Sequence, residues 1–143
     1  MDLAKQSAFI DHVRGRGGDS KQVAVTLEAF FDGNDSEWCI APNRSEDLPL
    51  EAVRRVLLDL RERPEVHDVR VELDHLEVDA YPDDEWPYAQ GVAVITTLTP
   101  SEVDALTIEA ETDPSGGPAS SVDWLIDAPT IPPGHHYVGV WWD

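Results

Sequence analysis

The sequence predicts an α+β fold: a four-stranded antiparallel sheet with two helices on one face, in the ferredoxin-like β-α-β-β-α-β order, plus an N-terminal helical extension. Three observations predict it. Short runs of alternating apolar residues recur along the chain, as half-buried strands require. Two segments between those runs carry apolar residues at helical spacing. With the first helix set aside, the segments follow the order strand, helix, strand, strand, helix, strand. A chain of 143 residues is one domain's length and buries a core without disulfides or a structural metal. The domain is read as residues 20–143 and the extension as residues 1–19.

Each element has its own signal. Residues 2–14 read as a short helix with Leu3, Phe9, Ile10 and Val13 on its apolar side, and Arg14-Gly-Arg-Gly-Gly-Asp19 breaks it into a hinged appendage. Gln22 to Phe31 reads as a strand, with Val23, Val25 and Leu27 alternating with Ala24, Thr26 and Glu28. Asp32-Gly-Asn-Asp35 is a turn, and Glu37 to Ile40 a short partner strand. Leu50, Val53, Val56, Leu57 and Leu60 recur at helical spacing, with Pro49 in the first turn and Pro64 after the last. Val69, Val71 and Leu73 alternate with charged residues, so this strand is wet on one side. The apolar phase shifts at Leu76 and Val78, which places a bulge near His75.

Gly91 to Leu98 is apolar on both faces, as a central strand requires. Thr99-Pro-Ser-Glu102 is the clearest local signal: a Thr cap, a Pro in the first turn and a Glu that reaches back to complete a capping box. Residues 112–134 hold five Pro and three Gly and read as irregular connection, with an apolar island from Val122 to Ile126. His136 to Trp142 is a terminal strand. Tyr137, Gly139 and Trp141 share one of its faces, and Val138, Val140 and Trp142 share the other, which is expected to meet the helices.

Charge narrows the function. There are 29 acids against 10 bases, a formal net charge of −19. The last base is Arg70; residues 71–143 hold 15 acids and no Lys or Arg. Such a field repels phosphate backbones and anionic lipid surfaces, so no nucleic acid and no membrane is expected as a partner. It attracts a basic protein and speeds its approach. General acidity also serves solubility alone, as in a salt-loving cell, and that explanation stands beside the first. Cys39 is the single cysteine, which excludes an intrachain disulfide. The N-terminus lacks a basic start followed by an apolar run, and no apolar stretch reaches membrane-spanning length, so a cytoplasmic location is expected.

The candidate chemistry is sparse. Asp32-Gly-Asn34-Asp-Ser36 opens like a calcium loop, but the sixth position is Glu37 and the twelfth Asn43. His135 and His136 are adjacent and point to opposite faces of a strand. Cys39 between Trp38 and Ile40 reads as a small core residue. Asp79, Asp83, Asp84 and Glu85 form an acidic loop without any sign of burial. No catalytic residue, metal or cofactor is expected. The candidate binding residues are Tyr137 and Trp141 on the open sheet face, with Trp86, Asp83, Asp84 and Glu85 in the acidic loop.

Three short pieces, Phe30-Phe-Asp-Gly-Asn-Asp35, Glu85-Trp-Pro-Tyr88 and Val140-Trp-Trp-Asp143, resemble small acidic uncharacterised proteins of actinobacteria. The resemblance spans roughly residues 22–143 and carries no catalytic residue with it. What it implies is an immunity-type protein, one that neutralises a toxin by covering a basic active-site cleft. The function expected is therefore an acidic protein-binding module. The alternatives are a small enzyme or ligand-binding domain using the open sheet face, or a homodimer formed through that face.

Overall fold

A computed structural model describes all 143 residues. Helix α1 spans Leu3–Gly15, strand β1 Ala24–Thr26, helix α2 Leu27–Phe31, helix α3 Leu50–Arg61, strand β2 Val66–Leu73 and strand β3 Ala89–Thr96. Helix α4 follows at Pro100–Thr107 with a 3-10 turn at Ile108–Ala110, then strands β4 (Gly116–Ala119) and β5 (His136–Val140). The fold class is α+β, with one open antiparallel sheet of five strands in the order β1-β2-β3-β5-β4.

That order corrects the ferredoxin-like expectation. The first strand lies at an edge instead of the centre, and the terminal strand pairs with β3 instead of β1. The cause is local. The predicted strand Gln22–Phe31 stops at Thr26, whose hydroxyl accepts from the Ala29 N–H and starts α2. Leu27, Phe30 and Phe31 then enter the core from a helix. Three residues of β1 pair only with Glu72, Val71 and Arg70. The eight-residue β3, buried along nearly all its length, takes the middle, with β2 on one edge and β5 on the other. The fifth strand is β4, inside the stretch read as irregular; it pairs with β5 at Gly116↔Gly139 and Ala119↔Tyr137.

The helices cover one face. Leu50, Val53, Leu57 and Leu60 of α3 pack with Val69, Val71, Val92, Val94, Val138 and Val140 of the sheet. Helix α1 is part of this body and not an appendage: Phe9, Ile10 and Val13 sit in the same core. Its end is a tight turn in which Gly17 adopts φ +92°, and Gly18 lies so near Val13 that a Cβ would meet its side chain at 2.3 Å.

Glu37–Ile40 is a loop, not a strand. It is held by Arg44, whose guanidinium donates to Glu37 at 2.8 Å and to the Leu48 and Ile40 carbonyls at 2.7 and 3.0 Å. Glu37 also accepts from the Leu50 N–H at 2.9 Å, which supplies α3 with a remote cap where Pro49 has none to offer. At α4 the capping box is present as expected: Thr99 accepts from the Glu102 N–H, and Glu102 accepts from the Thr99 N–H. The expected bulge near His75 falls instead between Glu72 and Leu73, because β2 ends at Leu73 and Gln90 is the extra residue on β3.

The opposite face is covered by the chain itself. Val122 and Leu125 pack on Ala24, Ala93, Ile95 and Tyr137. This segment is stitched to the sheet edge by Ala24 N–H to Ile126 O and Ile126 N–H to Gln22 O, at 2.8 and 2.9 Å. Arg16 adds a bidentate pair with Asp127 at 2.8 and 2.9 Å. The outer side of strand β2 is therefore only partly wet: Asp68 and Arg70 are half-buried there, and Glu72 is buried.

Candidate functional site

The cover on the second face is incomplete, and the gap is built from glycine. Glu72 of β2 pairs across the sheet with Gly91 of β3, and Gly139 of β5 pairs with Gly116 of β4. Strand residues of one parity share a face, so these positions all open to the loop-covered side. A furrow of about 340 Å³ lies here, lined by Gly91, Gly116 and Gly139 and walled by Trp124 and Trp141. Gly91 and Gly139 cannot readily be enlarged, whereas Gly116 faces open space. A Cβ at Gly91 would lie 2.7 Å from the Val140 carbonyl oxygen, and one at Gly139 would lie 2.7 Å from the Tyr137 hydroxyl.

Glu72 lies in this furrow with only 7% of its surface exposed, the one buried acid of the chain. The Tyr137 hydroxyl donates to both of its carboxylate oxygens, at 2.9 and 3.1 Å. No Lys, Arg or His lies within salt-bridge distance of it. Burial pushes the Glu72 carboxyl above the ordinary carboxylate range, and donation from Tyr137 and Trp124 acts the other way. Burial and the Glu72 charge together push the Tyr137 phenol up, so it keeps its proton and donates.

The two Trp side chains differ from the core aromatics. Trp124 is 49% exposed and packs edge-to-face on Tyr137, with ring centroids 5.2 Å apart. Trp141 is 42% exposed and anchored by its ring N–H, which donates to the Pro114 carbonyl at 2.8 Å. Trp142, on the other side of the strand end, is half-buried and donates to the Ala110 carbonyl at 2.8 Å.

Of the six candidate binding residues, the structure brings Tyr137 and Trp141 together in the furrow. Tyr137 is buried, so it serves as floor and not as an exposed anchor. The space left by Gly139 is occupied by the Tyr137 ring itself. The other four stand apart. Trp86 is fully buried in the helix-side core, its ring 4.9 Å from that of Phe9, which corrects its reading as a surface contact. Asp83 and Asp84 are exposed in the loop before it, and the Glu85 carbonyl accepts from the Gln6 side chain. Glu72 and Trp124 are the furrow residues that the sequence does not single out. Glu72 reads as one more charged residue on an alternating strand; its burial depends on a loop some 50 residues downstream. Cys39 is buried, and burial pushes its thiol to about 11, so it stays protonated and inert as a nucleophile. No group of three His, Cys, Asp or Glu side chains converges as metal ligands would.

Fold and furrow together define a small α+β protein with one polar, aromatic-walled cleft on the loop-covered face of an open antiparallel sheet. The chain belongs to the uncharacterized protein YfbO family, whose sequence model matches residues 4–140. It is 30% identical to the uncharacterized protein YfbO of Escherichia coli strain K12 over 125 residues, 87% of this chain and 86% of that protein. No solved structure matches the chain. No helix is long and apolar enough to cross a membrane.

Proposed function

We propose that this protein is a binding module for a basic protein partner, of the kind that an immunity protein against a basic toxin would be. One observation carries the reading: the chain neutralises its own cations and leaves its acids free. Nine of its ten Lys and Arg side chains already lie within 4.0 Å of a carboxylate. Of the 15 acids in residues 71–143, only Asp127 meets a Lys or Arg, namely Arg16. Apart from the buried Arg44, these are exposed or half-exposed ion pairs, which add little stability. Their effect is on the field: the positive charge is screened at short range while the negative surplus faces solvent, above all on the C-terminal half. A field of one sign steers an oppositely charged partner and raises its association rate.

The test is association with a basic protein, measured by stopped flow between about 0.1 and 1 M salt, where the screening length falls from roughly 10 to 3 Å. The expected result is a steep fall in association rate with salt. The reading is overturned if no basic protein, including any basic toxin domain encoded beside this chain, binds at low salt.

A second reading is a small ligand-binding domain or enzyme, favoured by the buried Glu72 carboxyl in an open cleft. A carboxyl that burial shifts upward is the kind of group that serves as a general acid. A single such group without a second carboxylate beside it supports binding better than hydrolysis by a carboxylate pair.

A further inference from the structure

We infer that the glycine furrow is a socket for one cationic side chain of the partner, with Glu72 as its counter-ion and Trp124 and Trp141 as its walls. The inference rests on the reading above and says where on the surface the partner's charge is recognised.

The first argument is electrostatic. An ionised carboxylate buried without a cation is costly, and Gln at the same place would keep a hydrogen bond to Tyr137 without that cost. The chain does compensate buried charge elsewhere. Arg44, its only buried base, is surrounded by Glu37 and by the Ile40, Ala41 and Leu48 carbonyls. Glu72 has the Tyr137 hydroxyl and no cation. The complement it lacks is a positive charge from outside.

The second argument is space. The furrow runs beside Glu72 and is lined by Gly91, Gly116 and Gly139, and at Gly116 the space a side chain would take is empty. The long aliphatic stem of a Lys or Arg fits such a slot, with its charged head at the carboxylate. The third argument is the walls. Aromatic rings attract cations through their π faces, more strongly where the pair is desolvated. The protein uses that pairing internally, with the Arg44 guanidinium 4.6 Å from the Trp38 ring. Trp124 and Trp141 offer half-exposed rings with no cation of the chain's own.

The experiment has two arms on the full chain. In the first, tryptophan fluorescence is followed during titration with N-acetyl-lysine methylamide, N-acetyl-arginine methylamide and, as a neutral control, the ε-acetylated lysine compound. A saturable change is expected for the cations and none for the control. Glu72→Gln is expected to weaken it at least about tenfold, equivalent to roughly 1.4 kcal/mol. Glu109→Gln, which removes one exposed charge after α4, is expected to leave it unchanged. Trp124→Ala removes one wall at a half-exposed position and is expected to weaken the binding as well. The socket is overturned if the cations give no saturable change, or if Glu72→Gln and Glu109→Gln behave alike.

The second arm repeats the comparison with the basic protein. Binding that ignores Glu72→Gln overturns the socket and leaves the electrostatic reading standing. Saturable binding of the small cations without any binding of a basic protein does the reverse.

Discussion

The helix-side face of the sheet is closed by aliphatic and aromatic side chains from four helices, whereas the opposite face is covered by one irregular segment resting on alanines, Ile95 and Tyr137. On the first face 26 buried residues form one continuous core; on the second, six do. Helices present a stripe of side chains every 3.6 residues and fill a sheet surface evenly. A loop rich in Pro and Gly contributes the buried side chains of Val122 and Leu125, with Ala128 and Ile131 half-buried beside them, and the ground around Glu72 and Gly116 stays open. The difference teaches where function can be housed: stability is concentrated on one side of the sheet, and a polar, buried and partly uncompensated group is tolerated on the other.

The largest expected effect tests that division directly. Leu57→Ala in α3, fully buried in the helix-side core, should cost about 2–5 kcal/mol. Leu125→Ala on the loop side should fall at the low end, about 2 kcal/mol, because its cover is a single loop that can settle onto the sheet. Urea midpoints for the two variants decide it; equal losses would show that the two faces are equally packed.

Next in size is the cap that holds the helix layer in place. Thr99→Ala removes the acceptor for the Glu102 N–H and should lower stability by about 0.5–2 kcal/mol. A midpoint that does not move would mean that packing of Val103 alone sets the start of α4.

The smallest effect has the opposite sign. The folded state raises the Glu72 pKa, so it binds that proton more tightly than the unfolded chain does. The stability this contributes is fully present below the ordinary value of 4.5 and is lost as pH rises through the folded-state value. Glu72→Gln should therefore raise the denaturation midpoint at neutral pH, with the gain shrinking as pH falls and gone below 4.5. Melts of both proteins across that range measure it. A variant less stable than the parent at neutral pH would show that the charge is already compensated within the chain.

Parts of both faces are legible in the amino-acid sequence alone. The Thr99-Pro-Ser-Glu102 box marks the start of α4, and the spacing from Leu50 to Leu60 marks α3 with its buried face. The phase of the last strand separates Val138 and Val140, in the helix-side core, from Tyr137 on the other side. The furrow is half legible: Tyr137 and Trp141 follow from that phase, while Glu72, Trp124 and the pairing of Gly116 with Gly139 do not. Trp86 is the reverse case. Its surroundings in sequence are acidic and loop-like, yet Phe9 from α1 draws it wholly inside.

What the amino-acid sequence determined by itself are the features that act within one turn or one strand: caps, helix stripes, strand alternation, and the one-sided charge. Each depends on neighbours a few residues away, so its physics is contained in the local pattern. Only the tertiary structure decided strand order, the packing of α1 and the burial of Glu72. Those depend on which distant segments meet. Thr26 ends β1 after three residues and sends it to the edge, β3 takes the centre, and the 122–127 segment returns over the far face. A carboxylate that alternation alone would leave in water is thereby enclosed among Tyr137, Trp124 and a row of glycines, because burial is a property of everything that packs around a residue and not of the residue or its neighbours in the chain.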